Sequence, residues 1–181
     1  MVEKEGIPPM HFPLFVELES KPCLVVGSGA VASRKAKVLS DYGARVTVVS
    51  PEACGRGFED ADVEGMELVV AATDDRALNR RVADLCKARG IPVNAVDDPA
   101  NCTFFFPAVF RKGPIVAAVS SGGACPVAAK MVRDKVARAV PDDFAEAVGE
   151  LGRRRGELKE AYPDPQARRR HCEEVLSKWK D

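Results

Sequence analysis

The chain has 181 residues, 46 % of them hydrophobic and 30 % charged, with 27 Lys/Arg balanced by 27 Asp/Glu. That length suits one ordinary domain with a smaller appendage. No apolar run approaches the ~18 residues of a membrane span, and zero net charge removes any global argument for nucleic-acid binding. Residues 1–9 carry acids and lack the basic-then-apolar pattern of a signal peptide. Six cysteines with no CxxC pair suit neither a zinc site nor a disulfide scaffold, so a reducing cytoplasm is the expected compartment.

In chain order, Cys23-Leu24-Val25-Val26 is a short apolar run ending at Gly27, as in a buried parallel strand. Residues 30–41 predict a helix, with Gly43 where such a helix would end. Arg45-Val46-Thr47-Val48-Val49 is β-branched and predicts a second strand. Residues 51–64 are polar and contain Gly55 and Gly57, which predicts a loop or one short turn of helix. Residues 68–72 predict a third strand, 75–89 a helix closed by Gly90, and 91–96 a fourth strand. This alternation implies a parallel sheet with right-handed crossovers.

After Pro99 the pattern changes. Residues 103–110 and 114–120 predict two strands joined at Lys112-Gly113, and such a pair often extends a sheet or meets another subunit. Residues 126–140 predict a helix with Val127, Met131, Val132 and Val136 as its apolar positions. Two further helices are expected over 142–161 and 166–180, interrupted at Pro163 and Pro165. Between Arg111 and Arg138 there are six Lys/Arg and one acid, Asp134, so this stretch can meet an anionic partner.

Gly27-Ser28-Gly29-Ala30-Val31-Ala32 fits G-x-G-x-x-A between a strand and a helix. Gly27 permits the tight turn, Gly29 lets backbone approach a pyrophosphate, and Ala32 lets the helix pack closely on the strand. The helix N-terminus then offers N–H groups to the phosphates. In a cofactor-free α/β domain the same residues would be only a tight turn. Ser50 stands where an acid usually ends the second strand, followed by Pro51-Glu52. Glu52 can reach the adenosine ribose and would repel a 2′-phosphate, and the nearest basic residue downstream is Arg56, so NAD is favoured over NADP. The expected division is an NAD-binding Rossmann domain over residues 1–110, a dimerisation region over 111–140 and a helical region over 141–181.

Ligands in this topology bind beyond the carboxyl ends of the strands. The third strand end supplies Thr73-Asp74-Asp75, at least one of which is expected to cap a helix. The fourth supplies Asn94, Asp97 and Asp98, of which Asp98 precedes Pro99 and suits a turn. Asp97 ends a buried strand at the crevice, where a carboxylate can take a proton during hydride loss. His11 near the N-terminus and His171 in an arginine-rich stretch read as surface residues, and no resident metal is expected.

These motifs together resemble the precorrin-2 dehydrogenase/sirohydrochlorin ferrochelatase family, the N-terminal module of siroheme synthases. The resemblance runs through Phe12-Pro13-Leu14-Phe15, the glycine turn with Arg34-Lys35-Ala36, Ala71-Ala72-Thr73-Asp74-Asp75, Asn94-Ala95-Val96-Asp97-Asp98-Pro99 and Ser120-Ser121-Gly122-Gly123-Ala124-Cys125-Pro126. It implies NAD-linked oxidation of precorrin-2 to sirohydrochlorin, in some members metal insertion with Fe2+ or Co2+ as a further substrate, and a homodimer joined through the middle region. The family's key aspartate falls on Asp97. Its cofactor contacts fall on the turn of Gly27, Gly29, Ala30 and Val31 and around Pro51 and Glu52, and Thr73 and Asp74 at the third strand end are further candidate cofactor contacts. Ser121 falls where the family's dimer-region loop faces the tetrapyrrole cleft, and Ser120, Gly122 and Asn94 are the further candidate substrate contacts. The family usually has a helix and an extra strand where residues 51–67 form a short polar connection, so this Rossmann half is expected to be trimmed. The chain stops at Asp181, and the methyltransferase module of larger siroheme synthases is accordingly not expected in it. Precorrin-2 is a polycarboxylate, which gives the basic stretch from Arg111 to Arg138 a role in charge-assisted hydrogen bonds.

Two other readings remain open at this point. One is a nucleotide-sensing Rossmann module without catalysis, which would not need Asp97. The other is a chelatase that keeps the fold but has lost hydride transfer.

Overall fold

A computed structural model describes residues 11–179. The chain divides into two compact units, Pro13–Phe106 and a second made of the described residues from Pro107 onward together with His11 and Phe12. Phe110 lies inside a strand, so the division falls a few residues before it.

The first unit holds four parallel strands: β1 (Pro22–Val26), β2 (Arg45–Val49), β3 (Leu68–Ala71) and β4 (Val93–Ala95). Their order is β2-β1-β3-β4. Helix α1 (Ala30–Asp41) connects β1 to β2, and α3 (Arg76–Ala88) connects β3 to β4. A single helical turn, α2 (Pro51–Cys54), and a 3-10 turn over Asp60–Val63 replace a full crossover between β2 and β3. This is the central part of the six-stranded dinucleotide-binding order, with the outer strand on each side omitted.

Alternation along the strands explains why both faces of the sheet are covered. Leu24, Val26, Val69, Ala71, Val93 and Ala95 face one way and pack with Val82, Ala83 and Cys86 of α3. Cys23, Val25, Leu68 and Val70 face the other way and pack with Ala32 and Leu39 of α1. Each fully buried Val or Leu is worth roughly 1.5–3 kcal/mol relative to exposure. Cys23 and Cys86 sit inside these layers as small apolar residues, and burial pushes both thiols up from their ordinary pKa. All six cysteines are free thiols.

The short connection after β2 is less loose than its polar composition suggests. Phe58 and Val63 drop into the α3-side core. Arg56 spans Asp62 with two hydrogen bonds of 2.9 and 2.6 Å, which ties the segment across its own loop. Strand β4 is shorter than expected because Pro92 precedes it and lacks an N–H. Residues 103–107 do not form a strand. Thr103 instead closes the outer edge of β4, accepting from Val93 N at 2.8 Å through its hydroxyl and donating its own N–H to Val93 O at 2.8 Å.

The second unit contains an antiparallel hairpin of β5 (Ala108–Lys112) and β6 (Ile115–Val119), followed by α4 (Pro126–Ala139). The helix expected over 142–161 is two, α5 (Asp142–Arg153) and α6 (Arg155–Ala161), in a stretch weakened by Gly149, Gly152 and Gly156. Pro165 opens α7 (Pro165–Val175) rather than interrupting a helix, because the first helical position tolerates its missing N–H. Asp164 caps that helix, accepting from Gln166 N and Ala167 N. His171 is half-buried and stacked on Tyr162, not a bare surface residue.

Candidate functional site

The chain leaves β1 to one side for β2 and returns to the other side for β3, so a crevice opens between the carboxyl ends of β1 and β3. Gly27 closes the bottom of it. Its N–H donates to Val49 O at 2.9 Å, and its φ of +117° lies in a region that favours glycine. A Cβ on Gly27 would stand 2.4 Å from Ala72 O. Gly29 differs: a Cβ there would meet nothing within 4 Å. The space above Gly29 is open, and no side chain caps the N-terminus of α1, which begins at Ala30 and Val31. These uncapped amides over an open space at the switch point fit a dinucleotide pyrophosphate. Ala32 is 1 % exposed and lets α1 settle onto the sheet, as its small size suggests.

At the end of β2, Ser50 accepts from Ala53 N through its hydroxyl and starts α2, with Pro51 at the first helical position. That turn brings Glu52 back to the glycine loop, where it accepts from Ser28 Oγ at 2.7 Å. The Ser28 hydrogen bond holds the exposed Glu52 carboxyl below its usual pKa. Arg56, the nearest cation downstream, is committed to Asp62.

Beyond β3 the three polar residues divide their tasks. Asp75 is the cap, accepting from Ala77 N and Leu78 N at the start of α3. Thr73 is locked to Asn79, donating its N–H and hydroxyl to Asn79 Oδ1 at 3.1 and 2.8 Å while Thr73 O accepts from Asn79 Nδ2 at 2.8 Å. Asp74 is exposed between them. Asn79, only 3 % exposed, is a site-shaping residue that sequence reasoning passed over. The available signal was an amide on the buried face of α3.

Beyond β4, Asn94 is buried, and its amide nitrogen donates to Phe104 O at 3.0 Å. It acts on the crevice through the segment it holds. Asp98 accepts from Asn101 Nδ2 at 2.7 Å and shapes the turn, as Pro99 suggested. Asp97 is exposed, and among the described residues its carboxylate has no hydrogen-bond or ion-pair partner. Its φ is +57°, a left-handed conformation that Asp tolerates better than most residues. Asp97 lines a cavity of about 530 Å³ together with Val96, Asn79, Arg76 and Arg80. Both arginines come from α3 and went unremarked in the sequence, although their i, i+4 spacing puts them on one helix face.

Lys35, one turn into α1, lies over the Phe106 ring at 3.6 Å. Burial lowers its pKa to about 8, with Arg34 adding to the shift and Cys102 opposing it.

Ser120, Ser121 and Gly122 belong to the second unit, in the turn between β6 and α4. Gly122 N donates to Ser120 Oγ at 3.1 Å, and Cys125 N donates to Ser121 Oγ at 3.0 Å. Both hydroxyls keep a proton to donate to a ligand. In the basic stretch, Lys112 reaches Asp142 and Val140 O, and Arg133 pairs with Asp134. Lys130, Lys135 and Arg138 remain exposed. No grouping of three or more His, Cys, Asp or Glu that could hold a metal occurs among the described residues, and no helix among them is long and apolar enough to cross a membrane.

Comparison with known proteins accords with this geometry. The siroheme synthase of Ectopseudomonas mendocina is 44 % identical, over 91 % of this chain and 38 % of its own length. That of Methylococcus capsulatus is 41 % identical, over 92 % of this chain and 38 % of its own length. The chain thus spans under two-fifths of the siroheme synthases it matches. A solved chain named SirC, precorrin-2 dehydrogenase, superposes with a TM-score of 0.66 at 24 % identity, covering 94 % of this chain and 99 % of that one, which shows a shared fold. Residues 14–108 match the family model described as "Putative NAD(P)-binding". The chain belongs to that NAD(P)-binding family.

Proposed function

We propose that the chain oxidises precorrin-2 to sirohydrochlorin with NAD, supplying the dehydrogenase step of siroheme formation. The observation that carries this reading is Asp97: a carboxylate just beyond β4 with no partner among the described residues, lining a cavity in the same compact unit as a dinucleotide-type turn. The names of the relatives supply the substrate class. When bound, the nicotinamide accepts the hydride.

The residues divide the remaining work. Gly27, Gly29, Ala30 and Val31 hold the pyrophosphate on backbone amides, with Thr73 and Asp74 at the facing strand end. Glu52 receives the adenosine ribose. Its charge, and the commitment of Arg56 to Asp62, support NAD over NADP. Asp97 accepts the proton that leaves the macrocycle, which a carboxylate without another partner is free to do. Ser120 and Ser121 donate their hydroxyl protons to substrate carboxylates from the turn that the Gly122 N–H holds, with the exposed cations of α4 beside them in sequence. Where Fe2+ or Co2+ is a further substrate, the same Asp97 carboxylate accepts pyrrole protons. Six free thiols suit a reducing compartment such as the cytoplasm.

General-base catalysis is typically worth ~10²–10⁴-fold. Asp97→Ala should therefore lower precorrin-2 oxidation by about that factor and leave the NAD dissociation constant nearly unchanged. Asp98→Ala should instead lower thermal stability by loosening the Asn101 contact. Undiminished turnover in a folded Asp97→Ala protein would remove Asp97 from the chemistry.

A further inference from the structure

We infer that Arg76 and Arg80 of α3 form a carboxylate-binding pair that anchors the substrate's acidic arms beside Asp97. This rests on the reading that the substrate is a polycarboxylate tetrapyrrole. Both arginines line the same cavity as Asp97, all within one compact unit. At about 530 Å³ the cavity falls within the usual ~300–1,000 Å³ range of small-molecule sites.

Three features distinguish this pair from ordinary surface charge. First, both arginines are exposed, and their side chains make no ion pair, hydrogen bond or ring contact among the described residues. The next residue, Arg81, shows what a structural arginine does on this helix, since it pairs with Asp60 at 2.6 Å. Second, no nearby acid is paired with them, the exposed Asp74 and Asp84 included. Asp75 is committed to amides of α3, Asp98 to Asn101, and Asp97 forms no ion pair with either arginine. Third, both cations stand in the first half of α3, near the positive end of its dipole, and its first turn holds no acid apart from the Asp75 cap. Cations there are electrostatically unfavourable unless an anion joins them.

The planar fork of Arg matches carboxylate geometry, and i, i+4 spacing sets the two forks one helical turn apart. They can therefore receive two neighbouring acidic arms of one macrocycle. Holding that edge keeps the substrate in the cavity, in the ground state and the transition state alike, which makes Arg76 and Arg80 substrate-binding residues.

The test is steady-state kinetics with precorrin-2 and direct titration with sirohydrochlorin, on Arg76→Gln, Arg80→Gln and the double variant. Each single change should raise KM and the sirohydrochlorin dissociation constant about tenfold, and the double change about a hundredfold, the usual scale of a lost charge-assisted hydrogen bond. The maximal rate should stay within about threefold and NAD affinity should be unchanged. Arg80→Lys should recover part of the loss because it keeps the charge. Arg89→Gln, at the far end of the same helix, should leave both constants unaltered. Normal KM in the double variant, a lowered melting temperature without a KM effect, or loss of NAD affinity in its place would overturn the assignment. Wild-type protein that neither binds sirohydrochlorin nor oxidises precorrin-2 would overturn the functional reading as well, so the two failures are distinguishable.

Discussion

Gly27 and Gly29 are two residues apart and play opposite physical roles. At Gly27 the neighbouring backbone fills the place of a side chain, and the obstructing atom is Ala72 O, which cannot rotate away. At Gly29 the place is empty. Gly27→Ala should therefore cost stability, roughly 1–3 kcal/mol for an L-residue forced into that conformation plus the contact. Gly29→Val should leave the fold intact and abolish NAD binding, because the branched side chain would occupy the space a pyrophosphate needs. Thermal melting and cofactor titration on the two variants separate these effects. Unchanged NAD affinity in a folded Gly29→Val protein would contradict the cofactor assignment. The motif G-x-G-x-x-A made both glycines legible in the sequence, but it does not say which is filled and which is open. That difference comes from β3, distant in the chain, passing beneath Gly27.

Among the elements, legibility follows how much of each is determined locally. The helix α1 and strand β2 carry strong local patterns and have the expected bounds. Residues 103–107 were expected to begin a strand because Thr103, Phe104, Phe105 and Phe106 have strand-forming side chains. They do not, because Thr103 is drawn to the edge of β4 and Phe104 to Asn94, both tertiary contacts without a local signal. The pair Arg76 and Arg80 was missed for a similar reason, since its meaning depends on the loop after β4 arriving opposite α3. In the second unit, β5 and β6 form a sheet of only two strands, and α4 leaves Val127, Met131 and Val132 exposed at 65 %, 59 % and 47 %. Such an apolar face on a helix beside an open-edged hairpin is expected to be covered by a second copy of the chain. Sedimentation at micromolar concentration should give a dimer, and Val127→Glu with Met131→Glu should shift it to monomer. A monomeric wild-type protein would contradict this assembly.

For the whole molecule, a balanced charge conceals a local arrangement: free cations on α3 and a free carboxylate at the end of β4 meet one cavity inside the nucleotide-binding unit. Composition alone cannot reveal this, because the acids and bases that cancel in the total lie in different elements. The fold class was legible because strand, glycine turn and helix recur at spacings that admit few topologies. The trimmed connection after β2 was legible as a short segment, but its order was not, since it depends on Phe58 and Val63 entering the core. The proposed activity is hydride transfer from precorrin-2 to NAD. Its most direct test is anaerobic incubation of the wild-type protein with NAD and precorrin-2, following reduced cofactor and sirohydrochlorin together, with metal insertion assayed in parallel without NAD. Equal molar formation of reduced NAD and sirohydrochlorin, dependent on the protein, is the predicted result. A folded protein that binds NAD but forms neither product, or that inserts metal into sirohydrochlorin without any NAD-linked oxidation of precorrin-2, would contradict it.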